Sequence, residues 1–221
     1  MNSLVRLSHR LDPRWRFYHQ MKDAMKVLEL GCGTGENYRK LRSIDCNVEL
    51  HGVDILPADS ILEAIHYQRV DLEADELPFP DDSFDAIIFT HVIEHLKNPF
   101  PLGEHIRRVL KPGGRIYIET PNWTSMLVPS FGFRRDQYNP FNFFDDPTHI
   151  RPWSKMSLYS YITDTCGLSA ERVGTMRNWF QVPWDLVKIF VYLLRGDRRK
   201  VIAAFWNVYG WAIYGIGIKE Q

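Results

Sequence analysis

Val27-Leu28-Glu29-Leu30-Gly31-Cys32-Gly33-Thr34-Gly35-Glu36 is the stretch that decides the fold. Lys26 to Leu30 is a short apolar run with the composition of a buried strand, and glycines follow it at alternate positions. Glycines after a strand let the backbone turn sharply and approach a ligand with no Cβ in the way. The nicotinamide fingerprint G-x-G-x-x-G/A needs its third small residue at position 36, and Glu36 stands there. Glu29, two residues ahead of the first glycine, would oppose a pyrophosphate and suits a cationic amino-acid ligand. Dinucleotide binding is therefore disfavoured.

Working outward, Val48 to Val53 and Tyr67 to Val70 are further candidate strands, with a segment between them that has the look of a short helix. Phe84 to Phe89 is the clearest central strand, introduced by the turn signal Pro80-Asp81-Asp82-Ser83. A helix is expected from Pro101 to Leu110, stopped by the breaker Lys111-Pro112-Gly113-Gly114, with a strand from Arg115 to Thr120. Strands alternating with helices point to βαβ units, a parallel sheet and right-handed crossovers. Residues 121–153 are long, proline-rich and without clear periodicity, as expected of a substrate loop or lid. Ser154 to Cys166 reads as a helix with Ser154 as N-cap and Gly167 as its end. Leu168 to Met176 and Trp211 to Ile218 read as the last strands, with two helices between them joined at Arg195-Gly196-Asp197-Arg198.

With those elements in order, Glu29-Leu30-Gly31-Cys32-Gly33-Thr34-Gly35 resembles motif I of the class I S-adenosylmethionine-dependent methyltransferases, of the methyltransferase-11/23-like kind. His51-Gly52-Val53-Asp54, Val70-Asp71-Leu72-Glu73, the run Leu77 to Asp85 and Leu110-Lys111-Pro112-Gly113-Gly114 fit that family in order and spacing. The resemblance covers Lys26 to Pro121 firmly and the rest loosely. It implies a single α/β domain over 1–221, a doubly wound Rossmann-like seven-stranded sheet with the last strand antiparallel. Within it, 26–120 would form the cofactor core and 183–209 a helical insertion between the last two strands. It also implies S-adenosyl-L-methionine as cofactor and S-adenosyl-L-homocysteine as product. Asp54 would hold the ribose hydroxyls by charge-assisted hydrogen bonds and Asp71 the adenine amino group. Glu29, Gly31, Cys32, Gly33, Gly35, Ile55, Leu72, Thr90 and His91 would complete the cofactor pocket. Gly31, Asp54, Asp71, His91 and Thr120 should share the edge at the carboxyl ends of the strands.

Methyl transfer from a sulfonium is an in-line displacement, helped chiefly by alignment in a water-poor site and, for a hydroxyl acceptor, by a general base. His91 and His95 follow the fourth strand. Asp145-Asp146-Pro147-Thr148-His149-Ile150-Arg151-Pro152-Trp153-Ser154 closes the long loop and resembles a D-x-x-H-I-R segment in a subgroup of the family, many of them associated with surface polysaccharide or small-molecule modification. His149 is the candidate base, with His95 as a second catalytic candidate. Asp146 would orient the base and Arg151 would hold an anionic or sugar group. The alternative for this segment is a turn-and-cap network with Arg151 paired to an acid on the sheet. A small-molecule or glycan hydroxyl is the expected acceptor. N- or C-methylation of another metabolite and a non-catalytic S-adenosylmethionine-binding protein are the rivals.

Composition narrows the class further. Hydrophobic residues are 45% and charged residues 24% of 221, and 27 basic residues balance 27 acidic ones. The whole molecule thus offers no electrostatic argument for nucleic acid. Charge is unevenly spread, with twelve acidic residues against one basic from Asp45 to Asp85 and six basic against three acidic from Pro183 to Gln221. Cys32, Cys46 and Cys166 show no ligand spacing, so no metal and a reducing cytoplasm are expected. The charged N-terminus lacks the apolar core of a secretory signal. Val201 to Ile218 carries no charge over eighteen residues, long enough to raise a membrane span, although Asn207, three glycines and an expected strand fall inside it. The helices of 183–209, rich in aromatics, suit core packing, a homodimer contact, a cover for the substrate pocket or peripheral contact with the inner membrane face.

Overall fold

A computed structural model describes residues 3–130 and 141–221. Its centre is one seven-stranded sheet in the order β3-β2-β1-β4-β5-β7-β6. The strands are β1 (Lys26–Leu30), β2 (Glu49–Asp54), β3 (His66–Arg69), β4 (Phe84–Thr90), β5 (Leu110–Pro121), β6 (Ser169–Thr175) and β7 (Ala212–Ile218). All pairings from β3 to β5 are parallel, and β7 runs antiparallel to both β5 and β6. The reversed last strand and the doubly wound order are those expected.

Alternation along each strand builds two cores, because successive side chains point to opposite faces and both faces are covered. Leu28, Leu30, Ile87, Phe89, Ile116 and Ile118 belong to one buried cluster, with Ile106 and Val109 of α4 (Phe100–Val109) and Leu158 of α5 (Lys155–Ser160). Val27, Ile88 and Tyr117 belong to the other, with Phe17 and Tyr18 of α2 (Pro13–Tyr18) and Leu41 of α3 (Glu36–Ser43).

Some elements depart from expectation. Between β2 and β3 only a single 3-10 turn, Ala58–Ser60, forms in place of a helix. Lys111-Pro112-Gly113-Gly114 stops α4 but does not precede β5. The strand begins at Leu110, and Gly113, at φ +76°, donates its N–H to the Lys219 carbonyl at 2.7 Å. The helix after Ser154 is capped as expected but widens into a π turn at Tyr161–Thr165. Two helices at the N-terminus were not foreseen: α1 (Ser3–Leu11) and α2, whose N-cap Asp12 accepts from the Trp15 N–H at 3.0 Å.

The helical insertion lies between β6 and β7 as α6 (Val182–Leu194) and α7 (Arg198–Tyr209). Gly210, at φ +72°, ends α7, and the chain becomes a strand two residues later, which splits the uncharged run. Among the described residues no helix is long and apolar enough to cross a membrane. Within 121–153 the described parts are short 3-10 turns, Trp123–Leu127 and Phe143–Asp145, tied to the sheet by a bridge from Asn122 to Trp153. The part of the expected lid at 131–140 lies outside the described residues.

Candidate functional site

The parallel register sets Leu30 opposite Val53 and Phe89, and Thr90 opposite Glu119, so the carboxyl ends of β1, β2, β4 and β5 form one edge. A cleft of about 440 Å³ opens there, and Glu29, Gly31, Cys32, Gly33, Thr90, His91, His95, Asp146 and His149 are all on its wall. These are residues foreseen for two different roles, and the fold brings them together. Another depression, around Arg107, Asp164 and Lys219, lies at the opposite edge, and none of the expected site residues lines it.

The glycine turn works by left-handed backbone. Gly31, Gly33 and Gly35 have φ of +70°, +49° and +86°, conformations that a Cβ penalises. A Cβ on Gly31 would also run into the Val92 side chain, whereas one on Gly33 would meet no atom of the described residues within 4 Å. Gly33 thus faces open space in the cleft. Asp54 clasps the turn from β2: its Oδ2 accepts from the Gly33 N–H at 2.8 Å and its Oδ1 from the Leu56 N–H at 3.1 Å. Two backbone donors leave a carboxylate about two of its four acceptor directions for a ligand.

Glu29 is buried at the base of the cleft. Its Oε1 accepts from Asn37 Nδ2 at 2.7 Å, while Oε2 has no partner among the described residues. Burial pushes its carboxyl up to about 8, against the pull of Asn37 and Lys40. A buried carboxylate costs free energy unless paired, and a ligand ammonium is the partner that would restore its charge. The orphaned oxygen, the open space over Gly33 and the clasped aspartate fit the amino-acid end and ribose of S-adenosylmethionine. Asn37, which also bonds Tyr18 and Thr90, was not foreseen. The available signal was a polar residue on the first turn of the helix after the glycines.

A charged network closes the cleft behind His91. Arg14 of α2 donates to both carboxylate oxygens of Glu119, with its Nε at 3.0 Å from Oε2. Tyr117 donates to Glu119 Oε2 at 2.7 Å, and His91 Nε2 lies 3.1 Å from Oε1. Burial would raise the Glu119 carboxyl, but Arg14 and His91 outweigh it and hold it well below the usual carboxylate range. Burial would likewise lower His91, yet Glu119 and Glu94 outweigh it and push the imidazole up to about 9. His91 also sits at φ +55°, a strained position for a residue with a Cβ.

His149 is held by a contact other than the one expected. Its Nδ1–H donates to the Phe143 carbonyl at 2.6 Å, which leaves Nε2 with the lone pair. Asp146 Oδ2 stands 3.9 Å from that Nε2, and its Oδ1 accepts from the Thr148 N–H and hydroxyl. Phe143, not Asp146, therefore orients the ring, while Asp146 shapes the turn. Burial lowers the His149 imidazole below its ordinary value, so the ring is neutral near pH 7. His95 lies beside it, with ring centroids 4.8 Å apart and its Nδ1 at 3.2 Å from the Thr148 carbonyl.

Glu94, His95 and His149 each offer one ligand atom, all within 4.8 Å of one another, a donor set the sequence reading passes over. Glu94 is already engaged: Oε2 accepts from the Thr120 hydroxyl at 2.9 Å, and Oε1 faces Nδ1 of the cationic His91 at 3.3 Å.

Several expected site residues are not on the cleft wall. Gly35 packs toward Leu62 and Ile65, Ile55 is exposed, and Leu72 belongs to the core. Asp71 caps its own turn by accepting from the Glu73 N–H at 2.9 Å. Among the described residues, Arg151 neither lines the cleft nor pairs with an acid. Its guanidinium lies 5.2 Å over the Phe100 ring and reaches the Lys97 carbonyl at 3.3 Å. Conversely, Trp206 of α7 and Trp211, stacked at 4.5 Å, supply an apolar wall, and a cover for the pocket is one of the roles that the sequence leaves open for 183–209.

Known proteins resemble the chain in sequence and in fold. The methyltransferase domain family matches residues 6–165. The chain is 28% identical over 179 residues to a ubiquinone/menaquinone biosynthesis C-methyltransferase UbiE of a Geobacter species, covering 75% of this chain and 73% of that protein. It is 37% identical over 148 residues to a probable S-adenosylmethionine-dependent methyltransferase of Mycolicibacterium smegmatis, covering 66% of this chain and 52% of the relative. The fold superposes on a SAM-dependent methyltransferase of Archaeoglobus fulgidus with a TM-score of 0.61 at 22% identity, over 99% of this chain and 95% of the other. With a family match over most of its length and the cofactor motif in place, the chain belongs to the class I S-adenosylmethionine-dependent methyltransferase family.

Proposed function

We propose that the chain methylates a hydroxyl of a small molecule or glycan, with His149 as the general base. The observation that carries this reading is the His149 ring, fixed by the Phe143 carbonyl so that a neutral Nε2 lone pair is kept on the wall that also bears the glycine turn. When bound, S-adenosylmethionine supplies a methyl group already activated on a sulfonium. The acceptor oxygen would form the new bond to the methyl carbon as the methyl–sulfur bond breaks and its electron pair stays on sulfur, leaving S-adenosylhomocysteine, and the hydroxyl proton would pass to Nε2 of His149. Trp206 and Trp211 keep water from one side, and the glycine turn and Glu29 fix the donor end.

His149→Ala should lower kcat by about 100-fold with S-adenosylhomocysteine affinity nearly unchanged. Because burial lowers the His149 pKa, the base form is present at neutral pH and is lost only in acid. The wild-type rate should therefore fall on the acid side with a midpoint below 6.5. An unchanged kcat in the variant, or a flat acid limb, would remove His149 from the chemistry. Turnover abolished by a chelator and restored by a divalent cation would make it a ligand instead.

Gly33→Val tests the donor side independently. The residue's left-handed backbone makes the change cost about 1–2 kcal/mol of stability, with no neighbour to clash. Donor binding should become undetectable by calorimetry while the chain stays folded. Retained binding would place the cofactor elsewhere.

A C-methylation reading is favoured by the name of the Geobacter relative, a C-methyltransferase. The two separate by product chemistry: a methyl proton shift typical of an ether supports the hydroxyl acceptor, and one typical of a carbon-bound methyl supports the other.

A further inference from the structure

α6 presents its apolar side to solvent. Its inward side packs on α7, where buried Asp185 accepts from Asn207 Nδ2 at 2.6 Å. Its outward side carries Trp184, Val187, Phe190 and Leu194, flanked by Leu186 and Leu193. These fall at helical spacing along one stripe. Exposure along the stripe runs from 54% for Leu186 to 74% for Leu194, and Trp179, just before the helix, is 70% exposed. A helix of a soluble domain ordinarily turns such a stripe inward, and large contiguous apolar patches on a surface mark interaction sites.

Charge says what meets it. The end of α6 and the start of α7 carry Arg195, Arg198, Arg199 and Lys200 against the single acid Asp197. The chain as a whole is balanced, so this cationic end is local. An isologous contact would set a net-positive patch against its own copy, whereas anionic head groups meet it with opposite charge. Helix α6 has 13 residues, about 20 Å at 1.5 Å per residue. That is too short to span a hydrocarbon core of about 30 Å and suits a helix lying in the interface plane. Tryptophans at the start of the stripe and arginines past its end are the residues that settle at head-group depth.

We propose that the outward face of α6, with the Arg195–Lys200 turn, docks the protein peripherally on an anionic lipid bilayer. The surface stands independently of the acceptor reading. Its position ties it to the cleft, since α7, on which α6 packs, contributes Trp206 to the cleft wall.

The test is co-sedimentation of the full chain with phosphatidylcholine vesicles, with and without phosphatidylglycerol. The wild type should pellet with the anionic vesicles and remain in the supernatant with the neutral ones. Arg198→Gln with Arg199→Gln and Lys200→Gln should lower the partition coefficient on the order of 100-fold, from about fivefold per basic residue, and high salt should mimic it. Phe190→Glu with Leu194→Glu should lower it by at least tenfold. Both variants should keep the wild-type circular dichroism and S-adenosylhomocysteine affinity. Equal partitioning of wild type and both variants would overturn the proposal, as would a wild type that ignores anionic vesicles. A solution dimer that Phe190→Glu with Leu194→Glu converts to monomer, with no lipid dependence, would assign the face to a second copy instead.

Discussion

Arg14→Met should destabilise the fold by about 3–5 kcal/mol, the usual cost of removing one partner from a buried ion pair. Glu119 is 2% exposed and sits on β5 among apolar side chains, and Arg14 supplies the bidentate partner that keeps it charged. Without Arg14 the carboxylate retains, among the described residues, Tyr117 and His91. Chemical denaturation would read the loss directly. The double variant Arg14→Met with Glu119→Gln should recover part of it, because the orphaned charge is then gone. A loss under about 1 kcal/mol, the range of exposed pairs, would mean that the pair is a surface contact. The same charges predict a pH effect: His91 is raised from 6.5 to about 9 by its carboxylates. Its stabilising contribution is complete below pH 6.5 and is lost as pH rises through about 9.

Asp54→Ala should weaken S-adenosylhomocysteine binding by about 2–4 kcal/mol, roughly 30- to 1,000-fold. Two causes act together in this structure. The carboxylate offers its remaining acceptor directions to a ligand, and it holds the Gly33 N–H that shapes the turn. Asp54→Asn should fall between the two, since it keeps an oxygen for the turn but loses the charge. Calorimetry finding unchanged affinity for Asp54→Ala in a folded protein would refute the assignment of this residue to the cofactor.

The fold was readable wherever the signal is local. β1 and its glycines, β4, the capped helix at Ser154 and the two helices split at Arg195 to Arg198 all declare themselves through side-chain period, caps and positive-φ residues. The N-terminal helix α2 carries such a signal too, Asp12 as N-cap before Pro13. The glycine turn was legible for the same reason: Glu29, Gly31, Cys32 and Gly33 lie at one strand end and line the cleft, whereas Gly35, Asp54, Ile55, Asp71 and Leu72 are not among its lining residues.

What the tertiary structure alone decided depends on contacts between distant residues. Arg14 meets Glu119 across 105 positions, and no period or cap encodes that meeting. Asn37 becomes the partner of Glu29 only because α3 packs over β1. His149 takes its orientation from the Phe143 carbonyl, and Arg151 turns to Phe100, because the path of the loop places those groups nearest. The outward face of α6 is the same kind of fact. An apolar helix in a sequence says that burial is favourable, and only packing against α7 settles which side is buried and which side is left for a partner.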